Sequence, residues 1–275
     1  MNSSFNILTP GASTSQSSLL IELSAQGISY VAINQNNVCI ALAVYHFETG
    51  ISHDEVANNL KTIVTSQPIL QQLFKKINFV YAFAESVLVP HQFINVQANK
   101  DMMELVYGDT SDCVTRDDFM FKYDLHNVYR VPKQIDSVIA HLFTQANHCH
   151  LYSLLPATIT VTGNKLYCIF SAKSITVQLV KEGKLQVIQN FAYRAPIDVA
   201  YHLLNVCERF DVAVNETEIE LNGMIDADSN LYNEVYKYFR RPVFAALPED
   251  FTYNEEIKKY PAHYFSHLFQ LAACV

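Results

Sequence analysis

The stretch Leu166-Tyr-Cys-Ile-Phe-Ser-Ala-Lys-Ser-Ile-Thr-Val-Gln-Leu-Val180 decides the fold, with Lys181-Glu-Gly-Lys184 and Leu185-Gln-Val-Ile-Gln-Asn-Phe191 behind it. It opens with a short apolar run that ends at Ser171-Ala172. Ile175, Val177 and Leu179 then alternate with other residues at the period of a strand, and Glu182-Gly183 turns the chain into a hairpin. The same order occurs once before. Leu19-Leu-Ile-Glu-Leu-Ser-Ala-Gln-Gly-Ile-Ser-Tyr-Val-Ala-Ile33, Asn34-Gln-Asn-Asn37 and Val38-Cys-Ile-Ala-Leu-Ala-Val44 align with it at a shift of 147 positions, without a gap. Leu19, Ser24, Ala25 and Ile28 meet identical residues at Leu166, Ser171, Ala172 and Ile175. Four identities carry little alone, but the coincidence of strand, turn and strand lengths marks an internal repeat.

Each copy predicts three strands, then a helix, then a strand. In the first, Ser52 caps the helix, Glu55 completes a capping box, and Val56, Leu60, Ile63 and Val64 share a face. In the second, Pro196 opens a helix whose face is read as Ile197, Ala200, Tyr201, Leu204 and Cys207. The returning strands are 79–83 and 219–221. Elsewhere 101–107, 135–144, 231–238 and 264–273 predict helix, and 128–131, 150–155 and 243–246 predict strand. The chain reads as α/β with three parts. Residues 1–18, rich in Asn, Ser, Thr and Gly, form a flexible N-terminal tail; 19–155 form a first lobe; 156–275, with a closing helix, form a second.

A β-β-β-α-β unit used twice resembles the ribonuclease-H-like unit of the actin-like ATPase superfamily. Residues 21–33 resemble the first strand and hairpin of PilM and FtsA type proteins, and 165–223 resemble their second lobe. The whole chain also resembles an uncharacterised family of this superfamily common in Bacteroidota, for which no activity is established. The resemblance covers about residues 18–275 and implies two mixed-sheet lobes facing across a cleft.

Active members of the superfamily hold ATP with Gly-containing hairpin turns, because backbone N–H groups must approach phosphate oxygens that a side chain would block. An aspartate on each first strand positions the metal or the attacking water. By the resemblance, the first Asp-x-Gly-Ser turn falls on Glu22-Leu23-Ser24-Ala25, the second Asp-x-Gly on Ile169-Phe170-Ser171, and the adenosine-side Gly-Gly on Gly223-Met224. The cleft positions are then Glu22, Ser24, Ser171 and Gly223. One acid is longer by a methylene, the other is gone, and serine replaces glycine in both turns. The expectation is a catalytically degenerate protein-binding or assembly module with no cofactor and no catalytic residue. The alternative is a small-molecule kinase or ATPase, with Glu22 holding the magnesium of ATP and Ser24 and Ser171 donating to phosphate. A nuclease would need several clustered carboxylates where only Glu22 stands.

The totals exclude other classes. Half of the 275 residues are apolar or aromatic and 17% are charged, which supplies a core and argues against global disorder. A net charge of -8 with no basic run longer than two residues opposes nucleic acid and anionic membranes. The first basic residue is Lys61 and there is no apolar run of about 18 residues, so no signal peptide or membrane insertion is expected, and a cytoplasmic setting is. The six cysteines, without a CxxC pair, read as free thiols.

Remaining motifs are thin. His148-Cys149-His150 offers two imidazoles on one strand face but no third zinc ligand. His263 and His267 share helical spacing without the general-base Glu of a metalloprotease helix, so Tyr260, Tyr264, Phe265, Leu268 and Phe269 suggest a docking helix instead. Tyr232, Tyr236, Tyr238 and Phe239 beside Arg240-Arg241 suggest an exposed contact strip. A protein partner, or a homo-oligomer, is the expected association.

Overall fold

The computed structural model describes residues 3–109, 111–158, 162–240 and 242–275; Arg241 of the contact strip lies outside the described residues. The chain divides into two compact units, Met1–Leu154 with Thr252–Asn254, and Leu155–Phe251 with Glu255–Val275. The first unit holds strands β1 (Ser3–Leu8), β2 (Ser18–Ser24), β3 (Gly27–Ile33) and β4 (Cys39–His46), then helix α1 (His53–Ser66) and β5 (Lys76–Tyr81). It continues with β6 (Ser86–Pro90), α2 (Val96–Tyr107), β7 (Cys113–Met120), β8 (Leu125–Pro132), α3 (Lys133–Leu142) and β9 (Asn147–His150). Helix α4 (Leu151–Thr158) carries the chain past the unit boundary. The second unit holds β10 (Lys165–Phe170), β11 (Ser174–Lys181), β12 (Lys184–Ala192), α5 (Pro196–Arg209) and β13 (Glu218–Gly223). It ends with α6 (Asn230–Tyr236), β14 (Pro242–Phe244), α7 (Glu255–Lys258) and α8 (Ser266–Ala273).

The repeat is built as read. The main sheets run β1-β4-β3-β2-β5-β9 and β12-β11-β10-β13-β14, so apart from β1 the two share one strand order. In each, the first strand pairs antiparallel with the second and parallel with the strand after the helix. Even a β-bulge recurs, between Ala32 and Ile33 in β3 and between Leu179 and Val180 in β11, which are equivalent positions at the 147-residue shift.

The helices extend the repeat in a way the pattern hid. Helix α1 buries Val56, Ala57, Leu60, Ile63 and Val64, and α5 buries Val199, Ala200, Leu203, Val206 and Cys207. The two sets coincide at a shift of 143, with three identities. The face read as Ile197, Ala200, Tyr201, Leu204 and Cys207 is therefore rotated: Ile197 is 53% exposed and Tyr201 64%. Helix α5 carries two overlapping apolar stripes that share Ala200 and Cys207, and periodicity alone does not choose between them. Capping held for α1, where the Ser52 N–H donates to Glu55 Oε2 at 2.7 Å and the Glu55 N–H to Ser52 Oγ at 3.3 Å.

Three further readings are corrected. The stretch taken as a loose tail contains β1, which pairs antiparallel with β4 from Ser3↔Tyr45 to Leu8↔Ala41; Met1 and Asn2 lie outside the described residues. An edge strand with one open face tolerates Ser and Asn, so composition concealed it. Residues 150–155 are not a strand: β9 ends at His150 and α4 begins at Leu151. The Asp118 carboxylate explains the switch, accepting from the His150 N–H at 2.7 Å and the Ser153 hydroxyl at 2.6 Å at the start of that helix. Helix α8 is no docking helix, since Phe265, Leu268, Phe269 and Leu271 are fully buried.

An insertion missing from the second copy lies between β5 and α3. It is a three-stranded antiparallel sheet, β6-β8-β7, with α2 against β8. Each main sheet has its own core. Leu60, Ile63, Ile21, Leu23 and Phe79 centre the first, and Leu203, Val206, Leu166, Cys168 and Leu221 the second.

Candidate functional site

The phosphate-turn positions can be taken lobe by lobe. In the first, β2 runs into β3 through Ala25-Gln26, a tight hairpin with Ser24 paired to Gly27. The Ser24 hydroxyl accepts from the Gln26 N–H at 3.1 Å and donates to the Gly27 carbonyl at 3.4 Å. Both its hydrogen-bonding roles close its own turn.

Glu22 sits two residues earlier, opposite Ser29 on β3 and Val80 on β5. Some of its surface reaches solvent, but carboxylate Oε2 is buried, and burial pushes the carboxyl up to about 7. The shift comes from desolvation alone and describes the carboxyl with no cation beside it.

In the second lobe Ile169 fills the aspartate position and is itself buried. The Ser171 N–H donates to the Ser174 carbonyl at 2.9 Å, and the Tyr193 hydroxyl donates to the Ser171 carbonyl at 2.7 Å. At the end of β13, Gly223 adopts φ +80, and a Cβ there would lie 2.3 Å from the Phe170 carbonyl oxygen. The Met224 N–H donates to that same oxygen at 2.8 Å. Gly223 is thus required by the close approach of β13 to β10, whatever else it does.

A phosphate cradle needs backbone N–H groups that point at the ligand and have no other acceptor. Here the N–H groups of Gln26, Ser171 and Met224 each already donate within their own lobe. Among the described residues, no group of three or more His, Cys, Asp or Glu side chains is placed to hold a metal. These three N–H groups are therefore not free to turn toward a phosphate.

The histidine motifs resolve into packing. In β9, His148 Nδ1 lies 3.1 Å from the Tyr81 hydroxyl. His150 is fully buried, with Nε2 2.9 Å from the Phe83 carbonyl, and burial lowers its pKa to about 4. Cys149 between them has its thiol pushed up to about 12 by burial, so it is no thiolate nucleophile. His263 lies in a 3-10 turn before α8, with Nε2 2.7 Å from the Ile225 carbonyl, and buried His267 has its pKa lowered to about 4. All six cysteines are free; Cys39, Cys168 and Cys207 are buried and Cys274 is exposed.

Sequence reasoning missed the polar groups around the insertion. Asp136 on α3 accepts from Arg116 on β7 at 2.8 Å and from the Tyr81 hydroxyl at 3.3 Å. Asp118 holds Tyr129, His150 and Ser153, and burial raises its carboxyl against those three hydrogen bonds. Asp117 lies 2.6 Å from His126 Nδ1, and His126 Nε2 lies 2.9 Å from His91 Nδ1. No spacing in the chain announces these, because they pair residues 9 to 55 positions apart.

The family described as "Protein of unknown function (DUF3822)" matches residues 9–241. The chain belongs to this family. No functionally curated protein matches the sequence. Among solved structures, this DUF3822 member is similar to a Bacteroides thetaiotaomicron VPI-5482 protein with an actin-like ATPase fold and unknown function. The TM-score is 0.76 at 16% identity, over 94% of this chain and 96% of that one. A PilM-PilN type IV pilus biogenesis complex matches with TM-score 0.63 at 11% identity, over 93% and 97% of the chains. The ethanolamine utilization protein EutJ of Carboxydothermus hydrogenoformans matches with TM-score 0.52 at 10% identity, over 98% and 93%. At these identities the likeness shows the fold: this DUF3822 chain is a mixed α/β protein of two sheet-containing lobes with the actin-like ATPase fold. No helix among the described residues is long and apolar enough to cross a membrane.

Proposed function

We propose that this DUF3822 protein is a catalytically degenerate actin-fold protein that works as a protein-binding or assembly module in the cytoplasm. One observation carries the reading: the N–H groups of Gln26 and Ser171 at the two phosphate turns, and of Met224 beside Gly223, already donate inside their own lobes. Ile169, buried in place of a metal-positioning acid, supports it. The likeness to the PilM of a PilM-PilN complex makes a protein partner the natural use of such a scaffold.

The test is a thermal-shift titration with ATP, ADP and GTP at millimolar concentration, each with and without magnesium. A ligand that binds only the native state must raise the midpoint, by about 2.7 kcal/mol of stability at a hundred times its Kd. The expected result is no movement. A rise of several degrees with magnesium-ATP that Glu22→Ala abolishes would replace this reading with a kinase or ATPase that uses Glu22.

A further inference from the structure

Among the described residues, large apolar side chains exposed on the first unit concentrate in the insertion. Phe93 is 60% exposed, Phe119 48% and Phe121 87%. Phe119 lies on β7 opposite His126 of β8. Its ring centroid is 4.9 Å from that of His126 and 5.1 Å from that of His91, and Phe121 meets it edge-on at 6.1 Å and 87°. The backing rings are held in line by the Asp117–His126–His91 chain, whose two imidazoles lie within 15° of coplanar. Phe119 is therefore held in place by the rings behind it, and exposed Phe121 stands edge-on beside it to make a corner.

The charge around this corner is mainly negative. Between residues 85 and 132 acidic side chains outnumber basic ones eight to four. Arg116 is paired with Asp136, Arg130 with Glu85 and Lys100 with Glu104, while Lys122 lies over its neighbour's ring, Tyr123. Asp117 and Asp124 are exposed beside the aromatic corner. An aromatic face next to carboxylates suits a guanidinium group, which stacks flat on the ring while its edge donates to carboxylate oxygens. An acidic segment, a nucleic acid or an anionic bilayer meets repulsion there.

We propose that the Phe119–Phe121 corner docks an arginine-bearing, basic segment of a partner protein. The proposal rests on the assembly reading above and specifies where and what that module binds. It is tested by fluorescence anisotropy on the full chain, using a short labelled peptide that alternates Arg and Leu. Peptides with Lys or Glu in place of Arg serve as comparisons. The Arg peptide is expected to bind most tightly, with the Lys peptide weaker and the Glu peptide silent. The double substitution Phe119→Ser and Phe121→Ser is expected to weaken the Arg peptide about tenfold or more. Asp124→Asn is expected to weaken it a few-fold and to flatten its salt dependence.

Equal binding by the double variant, equal affinity for the Lys and Arg peptides, or no binding by the native chain overturns the corner. So does sedimentation showing a dimer that Phe121→Ser dissolves, which would make the occupant a second copy. None of these outcomes disturbs the nucleotide titration, and a positive nucleotide titration would sink the assembly reading without touching the peptide result.

Discussion

A carboxyl pushed up to about 7 by burial changes how stability depends on pH. In the unfolded chain Glu22 ionises with a pKa of about 4.3, so between that value and about 7 the native state holds a proton the unfolded state has released. Stability is therefore full below the lower value and is lost as pH rises through the upper one. Replacing Glu22 with Gln removes the titration. Glu22→Gln should leave stability nearly unchanged at pH 4 and raise it above pH 8, by on the order of 3 kcal/mol. Urea unfolding at the two pH values measures this, and an equal effect at both would show that folding does not raise the pKa of Glu22. The position of Glu22 was legible in the repeat, but its protonation was not, because desolvation comes from strands remote in sequence, such as β5.

Strand β1 illustrates the limit at the scale of an element. Its residues Ser-Ser-Phe-Asn-Ile-Leu carry turn-forming composition, and Ile7 at 8% exposure is the buried anchor. Nothing local says that β4, itself buried along nearly its whole length, needs a partner on its outer edge. Deleting residues 1–8 separates the two descriptions. A loose tail would leave stability unchanged. A strand takes with it the burial of Ile7, about 2 kcal/mol, and leaves the β4 edge open to other chains. The expected outcome is a loss of about 2 to 3 kcal/mol in chemical unfolding. Amide exchange should speed up at alternate residues of β4 from 41 to 45, with β5 unaffected. Helices were easier where a cap fixed them, as Ser52 and Glu55 did for α1. They were harder where two stripes competed, as in α5, or where a short, mostly apolar run fitted either state, as at the start of α4.

At the scale of the molecule the duplication was legible because it constrains lengths as well as residue types. Two strands, a turn and a third strand recur at 147 residues, and the helix faces recur at 143 once α5 is turned to its observed orientation. The insertion was not legible, since one copy alone gives no repeat to detect. Equivalent positions on equivalent sheets should have equivalent energetics, and Leu60 and Leu203 are such a pair, each fully buried against its own lobe's sheet. Truncating either to Ala removes the same side chain from a similar site, at a cost of about 2 to 5 kcal/mol set by how well the site closes. Because the two cores share no residues, each loss should appear as faster amide exchange in one lobe: β2, β3 and β5 for Leu60→Ala, and β10, β11 and β13 for Leu203→Ala. Equal acceleration in both lobes from either substitution would mean that the chain opens as one cooperative unit, and the two cores would then be a single foldon.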